Sequence, residues 1–274
     1  MDAPFASRDL HAAARACLEA CEPERKLALA QALGDGVASG ALSCVDVEAD
    51  PLPLRVGRPN RPVLVAPRAL AQRGLGSPTG RAAFLHAIAH IEFNAINLAC
   101  DAVWRFRGLP ASFYADWVGV AADEARHFGL LRERLRELGH DYGDFDAHNG
   151  LWEMAEKTAH SCLARMALVP RVLEARGLDV TPAMIAKLRH LDDAHSAEIL
   201  ELILREEVAH VAIGSRWFRW CCEREDREPR STFTALLREH ALAALRGPFN
   251  RDARARAGFD ADELDALEAL AGAA

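Results

Sequence analysis

Apolar residues return every three to four positions over most of the chain, and the runs that keep this period predict helices. The first run covers residues 8–34. Leu10, Ala14, Cys17, Leu18, Cys21, Leu27 and Leu33 form its stripe, Pro23 interrupts it, Ser7 caps it, and Gly34, Gly36 and Gly40 end it. Residues 41–80 lose the period. They are rich in Pro and Gly and read as an extended strap, with a short strand expected at 63–65. The period resumes over 81–107, from a Thr79 cap to a stop at Gly108 and Pro110, and again over 112–138, from Ser112 to Gly139. Residues 140–149 are a polar loop. The next helix begins near Leu151 and carries Glu153, Glu156, Met166 and Glu174; Gly177 and Pro182 break or kink it before 183–191 resume. Another runs from about 195 to Cys222, and two more, 231–246 and 260–271, close the chain. No segment shows strand alternation, so the expected class is all-α. Its expected parts are an N-terminal helix and strap packed on a bundle (1–80), a four-helix bundle (81–225) and a C-terminal helical extension (226–274).

One polar pattern occurs twice inside the apolar periodicity. Asp123-Glu124-Ala125-Arg126-His127 and Glu206-Glu207-Val208-Ala209-His210 both read acid-Glu-x-x-His. A carboxylate and an imidazole three residues apart share one face of a helix. Two such pairs, each joined by a lone inward Glu from another helix, are the ligand set of a di-metal carboxylate site in a four-helix bundle. Glu92 lies in the apolar row of Leu85, Ile88, Ile96 and Ala99, where an unpaired carboxylate is costly. With the first hairpin turning near residue 109, Glu92 is about 17 residues before the turn, and Glu124 and His127 are about 15 and 18 after it, at the same depth. Glu92 precedes Glu124 by 32 positions and Glu174 precedes Glu207 by 33. This repeat favours Glu174 as the second lone ligand if the second hairpin turns at 191–194. A turn at 177–182 would bring Glu153 or Glu156 to that depth instead. The metal set is therefore Glu92, Glu124, His127, Glu174, Glu207 and His210. Oxygen-rich ligation with two nitrogens and no thiolate favours two iron ions, with manganese or a mixed pair as the other fit. Asp123 and Glu206, one step before each Glu, are expected to orient the histidines.

Composition narrows the setting. A 274-residue chain with 50% hydrophobic residues can bury a sizeable core, and a net charge of -7 disfavours a generic nucleic-acid binder. Seven cysteines without a C-x-x-C read as reduced core thiols and, with no signal-peptide pattern, point to a cytoplasmic protein. No run approaches 18 apolar residues, so no membrane association is expected. Arg55, Arg58, Arg61, Arg68, Arg73 and Arg81 fall where no acid occurs between Asp50 and Glu92. They read as a basic strap on an acidic bundle, or as an anchor for an anionic substrate such as tRNA phosphate.

The segments HAIAHIEFNAINLACDAVWRF, DEARHFGLLRERLRELG, LWEMAEKTAHSCLARMALVPRVLEARGLD and EEVAHVAIGSRWF resemble a bacterial family of ferritin-like proteins without an assigned function, over roughly residues 50–260. More distantly, LEARG followed after 33 positions by Glu-x-x-His is similar to the di-iron tRNA hydroxylase acting on prenylated methylthio-adenosine, which has IEARS at its third-helix ligand. The resemblance implies a ferritin-like fold, supports Glu174 over Glu153, and implies dioxygen activation by a reduced metal pair. The interruption near Gly177 and Pro182 and the long terminal extensions depart from the hydroxylase, and substrate choice lies in such regions. The leading expectation is a di-iron or di-manganese oxidoreductase that hydroxylates or oxidises a small molecule or modified nucleoside with an external electron donor. The alternative is a non-catalytic or iron-handling metal-binding bundle. The terminal segments disfavour a storage cage, which leaves a monomer or small homo-oligomer.

Overall fold

A computed structural model of the chain describes residues 4–5, 7–44, 55–242 and 245–273, and every regular element among them is helical. Among these residues no helix is long and apolar enough to cross a membrane. The chain forms two compact units, residues 1–152 and 153–274, with the boundary inside the segment 81–225.

In the first unit the N-terminal periodic run is two helices, α1 (Leu10–Glu19) and α2 (Pro23–Ala38). Pro23 starts α2, where a missing N–H leaves no hydrogen bond unmade. Asp9, not Ser7, caps α1, accepting from the amides of His11 and Ala12. Gly34 and Gly36 remain inside α2, and the left-handed Gly40 (φ 71°) follows its end. Lys26 is fully buried and donates to Cys17 O (2.8 Å), Leu18 O (3.0 Å) and Asn97 Oδ1 (2.7 Å). It thereby satisfies carbonyls at the C-terminal end of α1, where the helix dipole favours a cation.

α3 (Pro78–Arg105), capped by Ser77, and α4 (Ala111–Glu137) form a helical hairpin. Tyr114 Oη fastens its connection, donating to Phe106 O and accepting from Leu109 N. α3 packs on α1 as well as α4, and α2 packs on α4. From Glu92 to Trp104 every residue of α3 is buried, so this stretch has no solvated face. The strap makes no strand at 63–65. Leu64 forms an isolated bridge with Ala147, through Val65 N to Ala147 O and Ala147 N to Val63 O. Arg58 lies over Trp152 (5.9 Å) and Arg73 over Phe145 (5.3 Å). Residues 45–54 of the strap lie outside the described residues.

α5 (Gly150–Lys157) crosses the unit boundary. α6 (Cys162–Leu168) follows a Ser161 cap, runs into a π turn over Val169–Glu174, and continues as α7 (Ala175–His190). The interruptions are thus at 158–161 and at Pro170, not at Gly177 or Pro182, both of which lie within α7. Pro182 lacks the N–H that would bond Leu178 O, and the Asn250 side chain supplies the missing donor at 3.1 Å. The second hairpin turns at 191–193, with Asp192 in the left-handed region (φ 56°), and Asp193 caps α8 (Ala194–Arg224) through Ser196 N. α7 and the π turn pack on α8. Gly214 of α8 admits Pro170: a Cβ there would overlap the proline ring. The tail forms α9 (Pro229–Leu236), which runs on through a π turn at Leu237–Ala241, then α10 (Arg251–Arg256) and α11 (Ala261–Ala273). α10 falls in the stretch read from sequence as a connector. The buried Arg254 holds it to α7 by a two-pronged pair with Asp179 (2.9 and 2.7 Å).

Candidate metal centre

The first unit brings three predicted ligands together. Glu92 comes from α3, and Glu124 and His127 share one face of α4. His127 Nδ1 lies 3.4 Å from Glu124 Oε2 and 3.5 Å from Glu92 Oε2. One ligand atom from each residue falls within 4.8 Å of the others. All three are buried, at 5%, 1% and 0% exposure, so neither carboxylate is solvated mainly by bulk water. Burial on its own pulls the His127 pKa down, but hydrogen bonds and charge from Glu124 and Glu92 outweigh it and push the value up to about 11. The site therefore draws a positive charge onto the imidazole. Phe93 and Phe128, each adjacent in sequence to one of these residues, pack ring to ring at 5.4 Å and are likewise buried.

The second unit repeats part of this arrangement. His210 Nδ1 and Glu207 Oε1 on α8 are 3.3 Å apart, with His210 buried and Glu207 half-buried. Glu174 ends the π turn, half-buried with an enclosed Oε2. The close approach of Pro170 to Gly214 sets the register. One turn onward from Pro170 is Glu174, and one turn back from Gly214 is His210, so antiparallel packing puts the two at the same level. Glu153 and Glu156 are exposed on α5.

The two acids expected behind the histidines differ in setting. Asp123 pairs with Arg126 at 2.9 Å, both side chains about two-fifths exposed, whereas Glu206 is half-buried on α8. His90, which in sequence reads first as a satisfied helix histidine and otherwise as a support or interface residue, belongs to a second polar cluster in the first unit. His90 bonds Tyr142 Oη through Nδ1 (2.9 Å), Asn94 bonds back to His90 O (2.8 Å), and His86 Nε2 accepts from Gly143 N (2.9 Å). Burial, more than the neighbouring charges, holds His86 and His90 down at about 4. His90 and Asn94 stand one turn apart, a spacing visible in the sequence, but the other partners of His90, Tyr142 Oη and His148 O, come from the loop after α4.

An all-α chain with a buried Glu/Glu/His cluster on a helical hairpin is the class these observations define. The family model described as "Protein of unknown function (DUF455)" matches residues 19–265, and the chain belongs to this family. A Haemophilus influenzae protein described as uncharacterized is 48% identical over 214 residues, covering 76% of this chain and 74% of that protein. No solved structure matches the chain.

Proposed function

We propose that the protein is a di-metal carboxylate oxidoreductase, with iron as the leading metal. In this reading the hairpins α3–α4 and α7–α8 form a ferritin-like four-helix bundle. Glu92, Glu124 and His127 serve one metal ion and Glu174, Glu207 and His210 the other. The convergence of Glu92, Glu124 and His127 within 4.8 Å, all buried, carries the proposal. The donor chemistry fits: four carboxylates balance two divalent cations, and two neutral imidazoles complete the set without adding charge. The matching intervals between lone Glu and Glu-x-x-His in the two halves support the assignment.

A bound metal pair would supply one-electron redox chemistry toward dioxygen. The protein's part is to hold the carboxylates deprotonated, present His127 and His210 through Nδ1, and keep water away with side chains such as Phe93 and Phe128. A small molecule or modified nucleoside is the proposed substrate class, with electrons from an external donor. Metal analysis of the purified protein tests this, followed by dioxygen uptake by the ferrous form. Two ions per chain, oxygen consumption, and loss of metal in Glu124→Ala are expected. Absence of bound metal, or metal content unchanged by Glu124→Ala, would overturn the reading.

A further inference from the structure

The π turn at Val169–Glu174 carries a second feature besides Glu174. Arg171, in the same turn, is 1% exposed. Its guanidinium lies 4.7 Å from the ring centre of Phe218, 4.3 Å from Phe233 and 4.5 Å from Phe259. Nη2 donates to Glu263 Oε1 at 2.6 Å, and that carboxylate is itself 5% exposed. The buried Nε and Nη1 have no hydrogen-bond acceptor and lie within the phenyl cage. Phe218 belongs to α8, Phe233 to α9 and Glu263 to α11, while Phe259 lies two residues before the start of α11. The C-terminal extension thus grips the π turn through the buried cation of Arg171.

We propose that Arg171, with Glu263, is a positioning residue for Glu174, and that the C-terminal extension is a working part of the metal centre. This rests on the reading of Glu174 as a ligand. The physical need is specific to a π turn. Such a turn holds one residue more than the α-helix it interrupts and persists only where its surroundings hold it. Relaxation to α geometry would shift the register by one residue and turn Glu174 by about 100° relative to the helix before it. Pro170 seated on Gly214 fixes one side of the turn, and Arg171 fixes the other.

A matched control exists in the same unit. Arg254 is also buried, lies over Phe249 and Phe259, and pairs with Asp179, but it grips α7 beyond the turn. The test compares R171M, E263Q and R254M. Iron(II) and manganese(II) binding is measured by anaerobic titration, and amide hydrogen exchange is followed over 169–174. R171M and E263Q are expected to weaken one of the two metal sites by roughly ten-fold or more, as loss of a supporting contact does, and to speed exchange in the turn. R254M is expected to lower the melting temperature while retaining both sites and a protected turn. If R171M fails to fold, E263Q, which keeps the side chain's size, decides the matter. Equal exchange and equal metal affinity across E263Q and R254M would overturn the proposal. Wild-type protein that binds no metal would instead overturn the metal reading, and exchange in the turn would still decide whether Arg171 clamps it.

Discussion

Replacing Gly214 by alanine tests the register that brings Glu174 to the level of His210. The added Cβ would overlap both Cβ and Cγ of Pro170, a ring tied to the backbone that cannot swing aside. Carbon atoms pack at about 3.5–4.0 Å, so α8 and the π turn would have to part by roughly an ångström. Overpacking of this kind costs about 1–3 kcal/mol. Alanine's better helix propensity returns about 0.5–1 kcal/mol. The net expectation is a loss of about 0–2.5 kcal/mol, so Gly214→Ala should lie about 1–3 kcal/mol below an alanine placed in open space. Gly119 is the internal control: it is exposed in α4, and a Cβ there would meet nothing within 4 Å. Gly119→Ala should therefore stabilise by about 0.5–1 kcal/mol. Urea unfolding followed by tryptophan fluorescence reads both. Metal titration should show weakened binding in Gly214→Ala and unchanged binding in Gly119→Ala. A Gly214→Ala protein as stable as Gly119→Ala, with full metal affinity, would refute the close packing and the register drawn from it.

Three further expectations concern the supports around the site. His86 titrates near 4 when folded and near 6.5 when unfolded, so its contribution is full above about pH 6.5 and is lost as pH falls toward 4. That loss totals about 3 kcal/mol, at up to about 1.4 kcal/mol per pH unit, and unfolding from pH 7 to 4 should show a shallower fall in His86→Phe. Lys26→Met leaves Asn97 Oδ1 without its buried donor and removes a second donor from Cys17 O and Leu18 O, which keep Ala20 N and Gly57 N; it should cost about 1–3 kcal/mol in urea, part of it recovered by adding Asn97→Leu. Asn250→Ala removes both the donor to Leu178 O and the cap accepting from Ala253 N, and a loss of about 1–2 kcal/mol should appear as a lower melting temperature.

The helical class and the α3–α4 hairpin were legible because local chemistry decides them. Gly108, Pro110 and Gly139 stop helices by their own backbone preferences, and Glu92, Glu124 and His127 stand out as polar residues in an apolar row. The path of the third long segment was not legible. Pro170 and Pro182 look alike in sequence, but Pro182 is kept inside α7 by an Asn250 donor to Leu178 O, 72 positions from that carbonyl, whereas Pro170 sits in a π turn against Gly214. Lys26 carries no sequence mark of burial, since its three acceptors come from α1 and α3. Spacing alone does not place Asp123: it adjoins Glu124, one step along a helix turns a side chain by about 100°, and Asp123 pairs with Arg126.

The central claim is that two groups of ligands hold a metal pair. Its most direct test is a crystal structure of protein loaded anaerobically with iron(II), with anomalous data collected on both sides of the iron absorption edge. Two iron peaks are predicted, one bound by His127 with Glu92 and Glu124, the other by His210 with Glu174 and Glu207. Absence of any peak at His127, or a lone ion held by exposed carboxylates elsewhere, would contradict it.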